Sequence, residues 1–296
     1  MFQKYKNQFI LHVIVLIWGL TGILGEYIEL SSSKIVFYRT LIAFLSLLII
    51  GFFIKKTVKL SINQLIKITS VGVVVGLHWF TFFYAIKIST ISIGVVCMSL
   101  TTLFVALIEP IVFKRKIVKS EIVISIFILI GIIIIFGFEF VYFEGILFGV
   151  FSALMAAIFS VLNGKLIKTT SSFTITKYEM LGALLVSSVI VFFNGEFNSG
   201  LIDVSINNTL LLLFLGLVCT TAAFMISVWV MKYLSPFTVS VSINMEPIYT
   251  IVIAVLLAPE KEKMTIGFYV GGLVIIGSIF FNAYLKRRAK SNKSIF

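Results

Sequence analysis

Ten apolar runs, each long enough to cross a lipid bilayer, follow one another near residues 9–28, 35–54, 66–86, 91–113, 121–138, 145–167, 175–193, 209–231, 236–258 and 265–285. A hydrocarbon core about 30 Å thick needs about 20 helical residues per crossing, and a backbone inside it must satisfy its own N–H and C=O groups. The joints are too short for a soluble domain, so one fold class is left: an all-α integral membrane protein of ten transmembrane helices. Composition agrees. The 296 residues are 60% hydrophobic and 12% charged, with a mean hydropathy of +1.15, whereas soluble domains are about 25% charged. The first run exceeds the roughly 7–15 residues of a signal-peptide core, and no small-x-small cleavage site follows it. It is expected to stay as the first helix.

The formal charge of +12 would suggest nucleic acid in a soluble protein. Here the basic residues sit in short clusters between apolar runs, so topology explains them and no nucleic-acid partner is expected. Lys55, Lys56, Lys59, Lys114, Arg115, Lys116, Lys119, Lys165, Lys168, Lys177 and Lys232 share one side with both ends of the chain. Glu26, Glu29, Glu139, Glu144, Glu196, Asp203, Glu260 and Glu262 gather on the other. The positive-inside rule then predicts a plasma-membrane (inner-membrane) protein with both termini cytoplasmic. Cys97 and Cys219 lie inside apolar runs and suggest neither a disulfide nor a metal site. There is no His-Glu-x-x-His, no Walker loop and no Gly-x-Ser-x-Gly, so neither an enzyme nor a cofactor is expected.

An internal repeat is the step from topology to function. Ile35, Tyr38, Leu41, Ala43 and Leu45 of the second span recur 140 residues later as Ile175, Tyr178, Leu181, Ala183 and Leu185, with Arg39 matched by Glu179. Lys87 and Lys232 open the fourth and ninth spans 145 residues apart. The chain divides into five helices over 9–138 and five over 145–285. Because five is odd, the second set enters from the opposite face of the first. Two inverted repeats are the architecture of carriers that open alternately to either side.

Polar residues at membrane depth are the site candidates, because burial there is costly unless they face a partner or water. Glu246 lies ten residues into its span, about half of a 30 Å core at about 1.5 Å per residue. Pro247 beside it removes a backbone donor and frees a carbonyl, and Asn244 and Tyr249 lie within one turn. His78, followed by Trp79, sits at similar depth in the third span. It is either a polar anchor of a cavity or a hydrogen-bonded tie between helices. Offset by 145, the mates of Glu246 and Pro247 are Thr101 and Thr102. Trp18, Trp79 and Trp229 suggest an aromatic lining. Arg39 and Glu179 are expected near helix ends, Arg39 against Glu29 or a headgroup and Glu179 against Lys177 or Lys165. Glu109, near Lys114 and Arg115, is expected to be a local ion-pair or interface residue, with a gate as the alternative. Gly72-x-x-x-Gly76, Gly145-x-x-x-Gly149 and Gly267-x-x-x-Gly271 offer close helix approach.

The five-plus-five halves, Trp18-Gly19, Arg39 in the second span and the stretch from Glu246-Pro247 to Glu260 resemble the drug/metabolite transporter superfamily, EamA type. The resemblance runs from about Leu11 to Leu285. It departs at Thr101-Thr102, where a proline is frequent, at Arg115, where the second half has Glu260, and at Glu26, where lysine is common. It implies a metabolite exporter or permease with one central cavity between spans one, three, four, six, eight and nine. Glu246, His78, Trp79, Asn244, Tyr249, Trp18, Thr101 and Thr102 are then the candidate substrate-binding residues. The partners would be a small, amino-acid-like solute and membrane lipid, with the proton as coupling ion. The competing expectation is a membrane-embedded enzyme or lipid-handling protein.

Overall fold

The structure, a computed structural model, describes residues 2–53, 60–198, 201, 203–257 and 264–293, the side chains of 2–5, 279 and 282–293 excepted. The basic loop residues Lys55, Lys56 and Lys59 and the acidic Glu260 and Glu262 lie outside the described residues. The elements are α1 (Phe2–Tyr27), α2 (Ser32–Phe53), α3 (Ile62–Ile88), α4 (Ile91–Phe113), α5 (Lys119–Phe138), α6 (Phe143–Leu166), α7 (Ser172–Phe193), α8 (Ile206–Val230), α9 (Pro236–Leu257) and α10 (Ile266–Lys293). Nine are, among the described residues, long and apolar enough to cross a membrane. In α10 the described apolar stretch is Ile266–Ser278.

The short polar joints work as helix caps. Ser61 accepts from the Gln64 amide while the Gln64 side chain accepts from the Ser61 N–H, a reciprocal capping box that starts α3. Thr90, Ser171, Ser205 and Ser235 cap α4, α7, α8 and α9 through the hydroxyl alone, each accepting from the amide three residues on. Each hydroxyl satisfies an N–H that the first helical turn leaves without a partner. Serine or threonine thus marks the start of five of the helices.

Outward faces stay apolar, with Phe52, Ile111, Val141 and Leu256 all exposed, as a lipid solvent requires. Inward, helices meet through small residues. α3 crosses α7 where a Cβ on Gly72 would fall 2.2 Å from the Glu179 carbonyl oxygen and one on Gly182 would fall 2.0 Å from that of Thr69. Gly145 and Gly149 sit against Ser89 and Cys97, and Gly271 against Gly131. All three glycine pairs read from the sequence thus lie at helix contacts, where close backbone approach replaces the hydrophobic drive that lipid cannot supply.

Three inner helices are irregular at depth. α4 breaks at the 3-10 turn Met98–Leu100, and α9 breaks between Ile243 and Glu246. These breaks occupy corresponding places in the two halves. α8 is wound as a π-helix over Leu215–Ala222. Non-helical backbone at membrane depth is tolerated where protein or a cavity surrounds it; the breaks in α4 and α9 border one interior space, which α8 lines just after its π-helical segment.

Candidate functional site

Trp18 and Thr21 of α1, Arg39 of α2, His78 and Trp79 of α3, Thr101 of α4, Asn163 of α6, Phe224 of α8 and Glu246 of α9 face one cavity of about 80 Å³. Both halves contribute. Of the eight candidate residues, Trp18, His78, Trp79, Thr101 and Glu246 line this space; Thr102, Asn244 and Tyr249 do not.

Glu246 is the first residue after the break in α9 and is 7% exposed. Among the described residues its carboxylate has no hydrogen bond and no salt bridge. It is an acceptor pointed at the cavity without a protein partner. The break itself is tied to the other half: Asn244 donates from Nδ2 to Thr102 Oγ1 at 3.1 Å. Thr250, one turn after Glu246, donates to the Gly19 carbonyl at 2.8 Å and to the Glu246 carbonyl at 2.9 Å. Thr102 and Asn244 therefore act as a strut between the two broken helices. Tyr249 packs beside Gly19.

His78 both ties two helices together and lines the cavity. Its Nδ1 lies 2.8 Å from Ser152 Oγ and 3.0 Å from the Ser152 carbonyl, and Ser152 Oγ donates back to the His78 carbonyl at 2.9 Å. This knot ties α3 to α6. The ring also stands in the cavity wall between Phe82 and Phe159.

Arg39 is where the structure corrects the sequence reading. It is not at a helix end beside Glu29 or a headgroup; it is 2% exposed, deep between α2, α3 and α8. Its Nε and Nη2 donate to Thr220 Oγ1 at 3.1 and 2.9 Å, and its Cζ stands 4.0 Å from the centre of the Trp79 ring. The π-helix makes this contact possible. Thr220 sends its hydroxyl proton to the Leu215 carbonyl at 2.7 Å, which leaves its lone pairs for the guanidinium. The neighbouring Cys219 carbonyl accepts from Trp18 Nε1 at 3.1 Å. A guanidinium has five N–H donors; two go to Thr220, and the group still borders the cavity.

Glu179 is the second correction. It is fully buried against α3 and meets neither Lys177 nor Lys165; its Oε2 accepts from Asn163 Nδ2 at 3.2 Å. Trp229 also departs from expectation, lying outside the cavity wall with its ring edge-on to Tyr233. Glu109 does pair with Arg115, at 3.3 Å, and its other oxygen accepts from the Phe237 amide at 2.8 Å. Neither Arg39 nor Asn163 was a candidate. The signal available for Arg39 was an arginine inside an apolar run with no acid one turn away.

The site is thus a cavity with partly aromatic walls, lined by one guanidinium from the first half and, from the second, one carboxylate without a partner among the described residues. No group of three or more His, Cys, Asp or Glu that could hold a metal occurs among the described residues. Such a space can bind and orient a small solute carrying both charges.

The family described as EamA-like transporter family matches the chain twice, over residues 8–137 and 143–284. No curated protein matches the sequence. Among solved structures, one described only as "Crystal structure of protein" is 14% identical, covers 96% of this chain and 99% of its own, and superposes with a TM-score of 0.70. That likeness is one of fold.

Proposed function

Since the chain belongs to the EamA-like transporter family and is a multi-pass membrane protein for small molecules, we propose that it is a secondary carrier of amino-acid-like solutes working by alternating access. The observation behind the substrate class is the cavity that joins Arg39 and the unpartnered Glu246 carboxylate within aromatic walls. A zwitterion with a partly apolar side chain complements all three features. Its carboxylate would take the free guanidinium donors, its ammonium would meet Glu246, and its side chain would lie among Trp18, Trp79 and Phe224. Placement by two repeats of opposite orientation supports alternating access, because each half can rock against the other around a fixed site.

Glu246 is the residue on which this reading turns. In the carrier it holds the solute ammonium or, between solutes, a coupling proton. The charge pattern of the loops supports a plasma-membrane location with cytoplasmic termini. Purified protein in proteoliposomes tests the core of this. Glu246→Gln keeps size and deletes charge, and it should insert normally yet lower solute accumulation roughly tenfold or more, the loss expected when a charge-assisted contact worth about 1.5–3 kcal/mol disappears. Amino-acid-dependent thermal stabilisation of the wild type, diminished in the variant, would accompany it. Full accumulation by Glu246→Gln with an unchanged response to the pH gradient would reduce Glu246 to a packing residue.

A further inference from the structure

Beside the cavity lies a second polar arrangement that the solute site does not use. Glu179 of α7 and Asn163 of α6 are both 0% exposed. One hydrogen bond joins them, Asn163 Nδ2 to Glu179 Oε2 at 3.2 Å. The remaining oxygen on each side chain, Asn163 Oδ1 and Glu179 Oε1, is buried with no partner. Two pure acceptors without donors are an expensive pair in a membrane interior, and an ionised carboxylate with a single partner there is more expensive still.

One proton resolves this. On Oε1 it converts an acceptor into a donor, and the amide already bonded to Oε2 carries the matching free acceptor. We propose that Glu179 and Asn163 form a proton-binding site beside the cavity, in which the neutral carboxyl and the amide close a ring of two hydrogen bonds. Asn163 is also a wall of the solute cavity, as is Ser160 one turn before it. Loading or releasing the proton is therefore tied to what occupies the cavity; this link rests on the carrier reading, whereas the proton itself does not.

The surroundings favour a proton over a fixed charge. Among the described residues no salt bridge reaches Glu179. On α3 the backbone of Gly72 presses on it, His78 is bound to Ser152, and Lys67 lines a surface groove with Lys165 of α6. Tyr84 and Lys87 of α3, like Glu144 of α6, belong to the far ends of their helices. On α2 Arg39 is bound to Thr220, and the Tyr38 hydroxyl is buried without a partner. The segment Ala223–Val230 of α8 brings no titratable group. On its own helix Lys177 lies over the Tyr178 ring. Release is chemically balanced: the Oε1–H bond breaks, its electron pair stays on Oε1, and the proton passes to water in the cavity. The Thr176 hydroxyl, three residues before Glu179 on the same helix, is likewise buried without a partner.

Infrared difference spectroscopy at neutral pH, wild type minus Glu179→Gln, reads the site directly. The expected result is a protonated-carboxyl stretch lost in the variant. Asn163→Ala should keep that band but move it upward, because the carboxyl loses its amide partner; this serves if Glu179→Gln folds poorly. In proteoliposomes Glu179→Gln, which preserves the ring as an amide pair, should still exchange solute but lose the stimulation by a pH gradient. Absence of the band, or a band indifferent to Asn163→Ala, would overturn the site. Undiminished pH-gradient stimulation in Glu179→Gln would overturn the coupling. Wild-type vesicles that move no solute while the band is present would instead sink the carrier reading and leave the proton site standing.

Discussion

Arg39 and Glu179 hold the same position in the two halves, and each stands at a helix crossing made close by a glycine from a neighbouring helix. Gly72 of α3 sits on the Glu179 backbone, and Gly216 of α8 lies 3.4 Å from the Arg39 carbonyl at the Cβ it would carry. Backbone geometry is thus repeated across the inverted halves. Side-chain satisfaction is not. Arg39 meets a threonine freed by π winding, plus the face of Trp79, and its charge is provided for. Glu179 meets one amide and keeps an oxygen without a donor. Inversion preserves the crossing, which packing demands, and leaves the charge free to diverge. One half can then present a fixed cation to the cavity while the other keeps a group able to change its charge.

The sharpest way to break this contrast is at Arg39. Arg39→Met keeps an unbranched apolar stem but deletes the guanidinium and its charge. Solute uptake should fall roughly tenfold or more, because a charge-assisted contact is worth about 1.5–3 kcal/mol. Arg39→Lys should recover little of it, since an ammonium cannot reproduce the planar fork on Thr220 or the stacking on Trp79. Uptake assays on reconstituted protein decide this. Near-normal transport by Arg39→Met would place the buried arginine on the side of packing and end the contrast with Glu179.

A smaller effect is expected on stability, at the crossings themselves. Gly72→Ala puts a methyl group 2.2 Å from a backbone oxygen, so the helices must separate. Overpacking of this kind costs about 1–3 kcal/mol, to be read as a lowered melting temperature in detergent. Gly216→Ala meets Cγ2 and Cβ of Ile42 at 2.6 and 2.7 Å, a little farther off than the carbonyl oxygen that opposes Gly72, and should cost less. Equal losses at the two sites would mean that the crossings are more alike than their contacts suggest.

These contrasts also explain what could be read from the sequence. Spans, joints and the five-plus-five division follow from composition and period, which act over many residues. Trp18, His78, Trp79, Thr101 and Glu246 converge on one cavity because depth along a helix is countable. Rotation about the helix is not, and Thr102, Asn244 and Tyr249, equally deep, turn elsewhere. Arg39 and Glu179 lie deeper than their apolar runs suggest because each helix begins before its first apolar residue. α2 starts earlier, at Ser32, which sinks Arg39 by about one helical turn. The π winding that receives it has no local sequence signal, whereas Asn163 in α6, a lone amide in an apolar run, carries the mark of function that a polar residue has at membrane depth.

The smallest effect is predicted at Glu109, on the amino-terminal side of the bundle by charge pattern and away from the cavity lining. Its carboxylate accepts from the Phe237 amide in the first turn of α9 at 2.8 Å and from Arg115 Nε at 3.3 Å, while Arg115 also holds Glu121 at 2.7 Å. A negative group at a helix start is favourable by roughly 0.3–1 kcal/mol, and a partly exposed ion pair adds a similar amount at most. Glu109→Gln retains an oxygen for Phe237 but gives up the charge. Melting should shift by an amount equivalent to about 1 kcal/mol, and uptake should stay within about twofold of wild type, a difference of under half a kcal/mol. The comparison that matters is with Arg39→Met in the same vesicles. If Glu109→Gln lost transport to the same extent while keeping its melting temperature, the Glu109–Phe237 contact would be a gate joining α4 to α9, and charge outside the cavity would weigh as much as charge within it.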